Sequence, residues 1–429
     1  MNANRVPAGT PDQPGQFAPA GPSADRIASL DFIRGIAVMG ILAANIVAFG
    51  QPFSAYIYPG AFLTPHGTAE NAMWIAQFVL IDGKMRGLFT VLFGAGLYLF
   101  MERAWARGAT RALQVRRLLF LGLFGLIHFF LVWEGDILFL YAASGLVALL
   151  FVRLSEEKQL ALGLIGYVLG GLLYLGFAFS LQAAADGSFP GTPEAAQEMR
   201  VTMDEGKQRE LGEALVDAQL VRSGDYSRLV AHRFAEHVGD LGNTLITLWT
   251  ETLPLMLIGM ALYRFGLFSG ANANGRFLFW GAASWLAGAF ANLWIALRVA
   301  EGGFSYYGTM AAFTGWSHLP NLMTTLGYAA LLAVWGAMAR GWLAVRVKAA
   351  GRAAFTNYLG TSAVMMMAFH GWAGGLFGAF TRGELYMVML ATWVLMLAWS
   401  KPWLDRFRYG PLEWLWRCLT YQRVFPLLR

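Results

Sequence analysis

A histidine and two carboxylates share one short apolar hairpin of the chain. His128 is followed by Glu134 and Asp136 in the segment GLIHFFLVWEGDILFLYAASGL. A tight turn beginning at Trp133 would return the chain and bring a carboxylate against the imidazole. Such a carboxylate raises the basicity of the ring and fixes its tautomer, as a general base requires. We therefore expect His128 to be catalytic, Glu134 or Asp136 to orient it and Trp133 to border the substrate. A purely structural histidine is the alternative.

A second polar cluster opens the apolar stretch SLDFIRGIAVMGILAANI. Asp31 and Arg34 stand one helical turn apart, so their side chains can pair. Asn45 follows Arg34 by about three helical turns, or about 16 Å of rise, which places both on one side of a helix. The pattern predicts a polar groove that begins at an anion site near Arg34. A snorkelling arginine with a capping aspartate is the alternative.

The third cluster is Asp82, Lys84 and Arg86 in FVLIDGKMRGLFTVLFGAGLYLF. The apolar stretch 69–101 would be about 50 Å long as one helix, too long to cross a bilayer perpendicularly, so we expect a break at Asp82-Gly83-Lys84. A charge deep in hydrocarbon costs about 2.5–3.5 kcal/mol on insertion scales, and a break that lines a cavity tolerates it best. Two cations with one acid suggest a bound anion; acids elsewhere in the chain are the alternative counter-ions.

The remaining polar candidates are weaker. His66, at the end of an apolar segment, could reach an outer cavity, with an interfacial histidine as the alternative; Asn357 is a polar residue near the end of an apolar segment that we assign to substrate binding. His232 and His237 are five apart, a poor spacing for metal ligands on one helix. Cys418 is the one cysteine, which excludes a multi-cysteine metal site. We expect no metal.

The composition indicates the elements that must position these residues. Hydrophobic residues make up 57% of the 429, charged residues 14%, and mean hydropathy is +0.49. Soluble proteins carry about 25% charged residues, so a water-soluble enzyme and a disordered chain are both excluded. The sequence predicts an all-α polytopic membrane protein. About ten apolar segments suit spans: 33–50, 69–101, 118–133, 137–152, 159–180, 243–263, 277–297, 319–339, 353–370 and 383–400.

The basic residues predict the orientation of these spans. Of the 32 Lys and Arg residues, 21 lie in the segments between or beyond spans on the side of the termini. On the other side, once the polar stretch 181–240 is set aside, only Arg298 and Arg382 lie in such segments. This asymmetry predicts that both termini lie in the cytoplasm. It also accounts for the basic pI of 9.4 without a nucleic-acid partner.

Five regions follow from this topology. We expect a disordered cytoplasmic tail (1–26), helices one to five (27–180), an extracytoplasmic helical cap (181–240), helices six to ten (241–400) and a cytoplasmic amphipathic segment (401–429).

Several motifs in order resemble the YeiB-type family of bacterial inner-membrane proteins. They are LDFIRGIAVMGILAANI, LFGAG, HFFLVWEGDIL, GRAAFTNYL and GPLEWLWR, and they cover the chain from about residue 27 to the end. The amino-terminal half is more distantly similar to transmembrane acyltransferases, including heparan-α-glucosaminide N-acetyltransferase and bacterial O-acyltransferases. The shared element is D-x-x-R-G-x-A with a polar residue eleven after the arginine, here Asp31, Arg34 and Asn45. The O-acyltransferases carry histidine where this chain has Asn45, whereas the N-acetyltransferase uses a later histidine. His66 is the nearest match to it by order, so the resemblance makes His66 the second choice for the catalytic histidine after His128.

The resemblance implies transfer of an acyl group from cytoplasmic acetyl-CoA, or another acyl-CoA, to a hydroxyl or amine acceptor such as a glycan outside the membrane. Asn45, Lys84 or Arg86 would then stabilise the thioester oxyanion. A transporter or lipid-binding protein without covalent chemistry is the competing class, and a scaffold without a ligand is a third. The expected partners are membrane lipids, the acyl-CoA and the acceptor; the oligomeric state stays open, with a homodimer among the arrangements allowed.

Overall fold

The computed structural model describes residues 27–188, 192–269 and 275–429. Over these residues the chain is helical and contains no strand, so the predicted all-α class is confirmed. The tail predicted for residues 1–26 lies outside the described part of the chain.

Six helices precede the polar insertion. They are α1 Ala28–Gly50, α2 Thr68–Leu80, α3 Lys84–Trp105, α4 Arg111–Leu131, α5 Leu138–Ala148 and α6 Glu156–Asp186. The hydroxyls of Thr110 and Ser155 accept backbone N–H groups in the first turns of α4 and α6, which fixes where those helices begin. The predicted break between α2 and α3 is confirmed. Gly83 makes the turn with φ of 74°, a conformation that a residue without a Cβ adopts at little cost.

The insertion is helical and packs on one end of the bundle. Its helices are α7 Pro193–Ser223, α8 Tyr226–Glu236 and α9 Val238–Thr247, and a π-helical turn, Leu248–Thr252, joins α9 to α10 Leu253–Arg264. The Tyr226 hydroxyl donates to the carbonyl of Leu131 at the end of α4, 2.6 Å away. The N–H of Gly371 donates to the carbonyl of Val221 at 2.9 Å. We call this end of the bundle the insertion face.

Seven helices complete the chain. They are α11 Gly275–Glu301, α12 Tyr306–Ala311, α13 His318–Met338, α14 Trp342–Arg352, α15 Ala354–Phe369, α16 Arg382–Arg406 and α17 Pro411–Tyr421. The expected amphipathic segment 401–429 is divided, because α16 continues through Pro402 to Arg406 and only α17 is separate. α17 packs on α4, where the Trp416 indole donates to the carbonyl of Arg117 at 2.8 Å. We call the end that carries α17 and the first turn of α1 the termini face.

Seven helices of the described residues are long and apolar enough to cross a membrane, so the count of ten is not confirmed. They are Ala28–Gly50, Arg111–Leu131, Glu156–Ala184, Val238–Arg264, Gly275–Glu301, His318–Met338 and Arg382–Arg406. The other three expected segments contain shorter or more polar helices. The stretch 69–101 is divided by its break, α5 has 11 residues and α15 has 16.

Glycines allow the central helices to approach closely. At the crossing of α3 and α10, a Cβ on Gly259 would overlap the carbonyl oxygen of Val91, and one on Gly94 would overlap that of Met256. Small residues at such crossings are typical of membrane helices, whose association depends on close van der Waals packing. The GAG sequence at 94–96 therefore packs helices together.

Candidate functional site

The predicted histidine–carboxylate pair is present, and Asp136 is the carboxylate that forms it. His128 Nδ1 lies 2.9 Å from Asp136 Oδ1, and both side chains are 1% exposed. The other oxygen of Asp136 accepts the backbone N–H of Phe139 at 2.8 Å. Because an ionised carboxylate only accepts hydrogen bonds, a neutral imidazole in this pair carries its proton on Nδ1 and its lone pair on Nε2. This is the tautomer that a general base uses.

A glycine brings the two halves of the hairpin together. Gly125 lies one turn before His128 on α4, and a Cβ there would overlap the backbone nitrogen of Phe139 and crowd Asp136. α5 therefore starts directly against α4, and the loop 132–137 has no room to carry Asp136 away. The sequence GLIHFFLVWEGD thus positions the pair through close helix contact as well as through the turn.

Two aromatic rings enclose the imidazole. The ring centroids of His128 and Tyr358 are 5.4 Å apart, and those of His128 and Trp133 are 6.4 Å apart. The Tyr358 hydroxyl accepts the backbone N–H of Ile137 at 3.3 Å. His128 Nε2 is buried and has no hydrogen-bond partner among the described residues. A buried polar atom without a partner costs about 1–3 kcal/mol, and a catalytic role is one of the reasons a fold retains it.

A cavity of about 210 Å³ lies on the termini-face side of this pair. We call it the basic cavity because three arginines line it: Arg34, Arg117 and Arg352. Its one acid, Glu413, accepts the N–H groups of Phe355 and Thr356 at 2.8 and 3.1 Å and so caps α15. Tyr141 and Tyr358 also line this cavity.

A second cavity, of about 350 Å³, lies under the insertion. We call it the acidic cavity because its polar lining includes six carboxylates and one histidine: Glu134, Asp136, Glu210, Glu213, Asp217, Asp240 and His237. Burial raises the pKa of Glu134, and the nearby Arg233 opposes that shift. The hydrogen bonds to Asp217 and Asp240 raise the pKa of His237 to about 9. Glu134 thus lines this cavity, and Asp136 is the carboxylate that contacts His128.

The pair lies in the wall between the two cavities. Asp136 lines the acidic cavity and Tyr358 lines the basic one, while His128 contacts both residues. A reactant in either cavity is thus separated from the imidazole by one side chain.

The cluster on α1 is divided between the basic cavity and the packed helices. Arg34 Nη1 lies 3.6 Å from Asp31 Oδ1, so the predicted pair is confirmed, and Arg34 lines the basic cavity. Asn45 is half-buried farther along α1 and is absent from the described lining of both cavities. The predicted groove thus contains Arg34 at its mouth without reaching Asn45.

The charges at the α2–α3 break are satisfied inside the bundle. Gln77 donates to Asp82 Oδ1 at 3.0 Å and accepts from Arg382 at 3.1 Å, so it joins an acid to a cation. Lys84 is 0% exposed, donates to the carbonyl of Phe78 and lies over that ring at 4.9 Å. None of these residues lines the basic or the acidic cavity within the described part of the chain.

Arg86 has a protein counter-ion. Its Nη2 lies 2.8 Å from Glu251 Oε2, on the π-helical turn before α10. The Arg86 side chain is nevertheless 38% exposed. The Tyr141 hydroxyl donates to the carbonyl of Arg86 at 3.3 Å, which links this ion pair to the inner end of the basic cavity. The alternative expectation, an acid elsewhere in the chain, is therefore the one observed for Arg86.

Two expected site residues lie elsewhere. Asn357 is 3% exposed, donates to Ser400 at 3.1 Å and accepts from the Trp399 indole at 2.9 Å, so its amide joins α15 to α16. His66 lies before α2 against the ring of Phe62, with 5.0 Å between centroids. Among the described residues no contact joins His66 to the His128 pair.

The sequence patterns missed three residues around His128. Tyr358 and Arg352 are distant in sequence from His128, and no spacing links them to it. Arg117 lies eleven residues before His128 on α4, about three helical turns, so helical spacing could have placed it on the same side. Glu251 was detectable in principle, because it is an acid inside the apolar stretch LWTETLPLML.

Comparison with known proteins was made on the whole chain. A family model described as a protein of unknown function, DUF418, matches residues 262–423. The Bacillus subtilis protein named "Uncharacterized protein YxaH" is 29% identical over 420 residues, covering 94% of this chain and 96% of that protein. No solved structure matches the chain. The Escherichia coli protein named "Uncharacterized protein YeiB" is 30% identical over 423 residues, covering 94% of this chain and 98% of that protein. On this match the chain belongs to the YeiB-type family.

Proposed function

We propose that this protein is a membrane acyltransferase that takes an acyl group from acetyl-CoA, or another acyl-CoA, and passes it to a hydroxyl or amine on the other side of the membrane. One observation carries the proposal: the His128–Asp136 pair lies between a basic cavity lined by residues of α1 and α17 and an acidic cavity lined by residues of the insertion.

The basic cavity suits the donor. Phosphates of coenzyme A carry the negative charge that Arg34, Arg117 and Arg352 would neutralise. The positive-inside bias assigns the termini face, where these residues lie, to the cytoplasm, and acyl-CoA is a cytoplasmic metabolite. The acyl thioester would enter toward Tyr358, at the end of the cavity next to His128.

The chemistry requires one base and one oxyanion donor. Once a side chain of the wall between the cavities moves aside, the acceptor oxygen or nitrogen attacks the thioester carbonyl carbon while its proton passes to His128 Nε2. The C–S bond then breaks, and the coenzyme A thiolate recovers that proton as a free thiol. Asp136 holds the imidazole in the required tautomer and stabilises the imidazolium that forms.

Tyr358 is the better candidate for the oxyanion donor. Its hydroxyl accepts one bond from Ile137 and keeps its own proton available to donate into the basic cavity. The residues first expected in this role are less suitable: Lys84 is enclosed against Phe78 and Asn45 lies away from the cavity lining. Removing one such donor typically lowers the rate by about 10²–10³.

The acidic cavity would admit the acceptor. Its carboxylates disfavour an anionic acceptor and favour a neutral hydroxyl or an amine. Glu134 and the residues of α7 that line this cavity then select the acceptor without entering the chemistry.

The direct test incubates the purified protein with radiolabelled acetyl-CoA and hydroxylamine as a small acceptor, and measures acetyl hydroxamate above the spontaneous rate. His128→Gln should reduce this enzymatic rate by about 10²–10⁴, the usual contribution of a general base. His66→Gln is the matched control and should retain activity. Equal activity in the wild type and His128→Gln would show that the dyad is not catalytic, and no binding of acetyl-CoA would exclude the proposal.

A transporter is the second candidate, and the Arg86–Glu251 pair is the observation that favours it. Charged pairs within spans commonly lie on ion or substrate pathways, and π-helical turns such as Leu248–Thr252 occur at functional sites. Uptake into proteoliposomes that Glu251→Gln abolishes and His128→Gln leaves unchanged would favour the transporter class.

A further inference from the structure

We infer that Asp217, His232 and His237 form a binding site for a divalent transition-metal ion, Zn²⁺ being the best chemical match. His232 Nε2 lies 3.1 Å from one oxygen of Asp217, and His237 Nε2 lies 3.3 Å from the other. The site is independent of acyl transfer and would exist in a transporter equally well.

The spacing of the three side chains suits a tetrahedral ion. One ligand atom from each residue lies within 4.8 Å of the others. Tetrahedral Zn²⁺ with bonds of about 2.0–2.1 Å places neighbouring ligand atoms about 3.3 Å apart, close to the observed separations. Imidazole and carboxylate donors together are typical of zinc sites.

Three consecutive helices bring the ligands together. Asp217 lies on α7, His232 on α8, and His237 is the residue at which α8 ends and α9 begins. His232 and His237 are five positions apart, so on a continuous helix their imidazoles would not share one face. The helix ends before His237, so its ring turns back toward His232, with 5.7 Å between the ring centroids.

A fourth side chain fixes the tautomer of His237 in the form that binds metal. Asp240 Oδ2 lies 2.8 Å from His237 Nδ1, so that nitrogen carries a proton. A metal ion that displaces the Nε2 proton would then meet the Nε2 lone pair and the Asp217 carboxylate together. A carboxylate on the outer nitrogen of a ligating histidine is a general feature of metal sites.

The surroundings favour a cation with an open coordination position. Asp217 and His237 also line the acidic cavity, so a fourth ligand, water or a substrate oxygen, would approach from there. Glu134 and Asp240 add negative charge at the same wall, which outweighs the nearby guanidinium of Arg233. Three protein ligands with one open position are typical of catalytic rather than structural zinc.

The alternative is a cluster held by protons alone, in which His237 is an imidazolium bonded to Asp217 and Asp240. This arrangement satisfies the same distances without a metal. It predicts that the protein takes up no stoichiometric Zn²⁺, which makes metal content the deciding measurement.

The experiment uses the full chain purified without a polyhistidine tag, freed of metal with a chelator and titrated with Zn²⁺. We expect one ion per chain, measured by mass spectrometry of the metal after desalting. Asp217→Asn and His232→Ala should each weaken Zn²⁺ binding by more than about 100-fold, and Asp240→Asn by about 10–100-fold, as the removal of an outer-shell carboxylate does.

Glu213→Gln is the matched control, because it removes a carboxylate of the same cavity outside the cluster and should leave Zn²⁺ affinity within about twofold. Co²⁺ substitution of the wild type adds a readout that needs no variant, since tetrahedral Co²⁺ absorbs strongly in the visible range. The inference is overturned if the wild type retains no Zn²⁺, if the Co²⁺ spectrum is that of a six-coordinate ion, or if Asp217→Asn and Glu213→Gln bind alike.

Discussion

Exchange of Asp136 for asparagine gives the sharpest test of the dyad, because the fold dictates how the new amide must lie. Asp136 accepts the Phe139 N–H at 2.8 Å through one oxygen and faces His128 Nδ1 at 2.9 Å through the other. The amide oxygen must keep the Phe139 contact, since an NH₂ group there would meet another donor. The NH₂ group then faces Nδ1 and forces the imidazole proton onto Nε2.

The expected loss of activity is large and the loss of stability small. With a proton on Nε2 the ring cannot act as a base, and the same exchange in hydrolases with this arrangement lowers kcat by about 10⁴, so we expect about 10³–10⁴. The number of hydrogen bonds is unchanged, so the free energy of unfolding should change by less than about 1 kcal/mol. Asp136→Ala would instead leave the Phe139 N–H and His128 Nδ1 without partners, at about 1–3 kcal/mol each.

Three measurements check this prediction together: acetyl transfer from radiolabelled acetyl-CoA, denaturant unfolding in detergent, and ¹⁵N NMR of the histidine ring. The reasoning is refuted if the Asp136→Asn variant transfers acetyl at the wild-type rate while the imidazole proton of His128 resides on Nε2. It is also refuted if the asparagine variant is as unstable as the alanine variant, since the amide would then not take the carboxylate's place.

Three further predictions concern packing, charge and the donor cavity. Gly259→Leu should destabilise the α3–α10 crossing by about 1–3 kcal/mol or more, while Gly176→Leu, at a helical position with open space around it, should not; thermal unfolding of both variants checks this. Glu251→Gln should lower the free energy of unfolding by about 2 kcal/mol. This is less than the roughly 3–5 kcal/mol expected for breaking a fully buried pair, because Arg86 is 38% exposed. Adding Arg86→Gln to the same chain should restore part of the lost stability. Equal stability of the single and double variants would contradict that coupling. Arg34→Gln should raise KM for acetyl-CoA about tenfold with little change in kcat, and an unchanged KM would remove the arginine from the donor site.

The fold class and the break in the second apolar stretch followed from the sequence because each depends on local properties. Apolar length and charge density decide whether a segment can enter lipid, and Asp82-Gly83-Lys84 interrupts a stretch too long for one span. The count of spans was less accessible. A helix such as α5, with 11 residues, is embedded by its neighbours instead of by its own length.

The His128–Asp136 pair was predictable for the same reason, since a tight hairpin determines it. Its surroundings were not predictable, because Tyr358 and the arginines of the basic cavity come from α1, α4, α14 and α15. These residues meet only after the helices pack. Charge counting also misled. Arg86 and Lys84 suggested a bound anion, but Glu251 and the carbonyl of Phe78 satisfy them from distant or neighbouring parts of the chain.

The cluster proposed to bind a metal illustrates the limit of sequence spacing. His232 and His237 are five residues apart, a poor match to one helix face, and the prediction of no metal rested partly on that spacing. The end of α8 at Glu236 changes the direction of the chain between them, and Asp217 reaches them from another helix. Spacing rules for metal ligands apply only while one element continues.

Sided acyl transfer in proteoliposomes tests the central claim most directly. The purified protein is reconstituted in known orientation, radiolabelled acetyl-CoA is supplied on one side only, and hydroxylamine is supplied on the other. Labelled hydroxamate should form when acetyl-CoA faces the termini face, should be absent when it faces the insertion face, and should disappear in His128→Gln. Formation from both sides alike, or at the same rate without His128, would contradict the dyad between two cavities as the site of transfer.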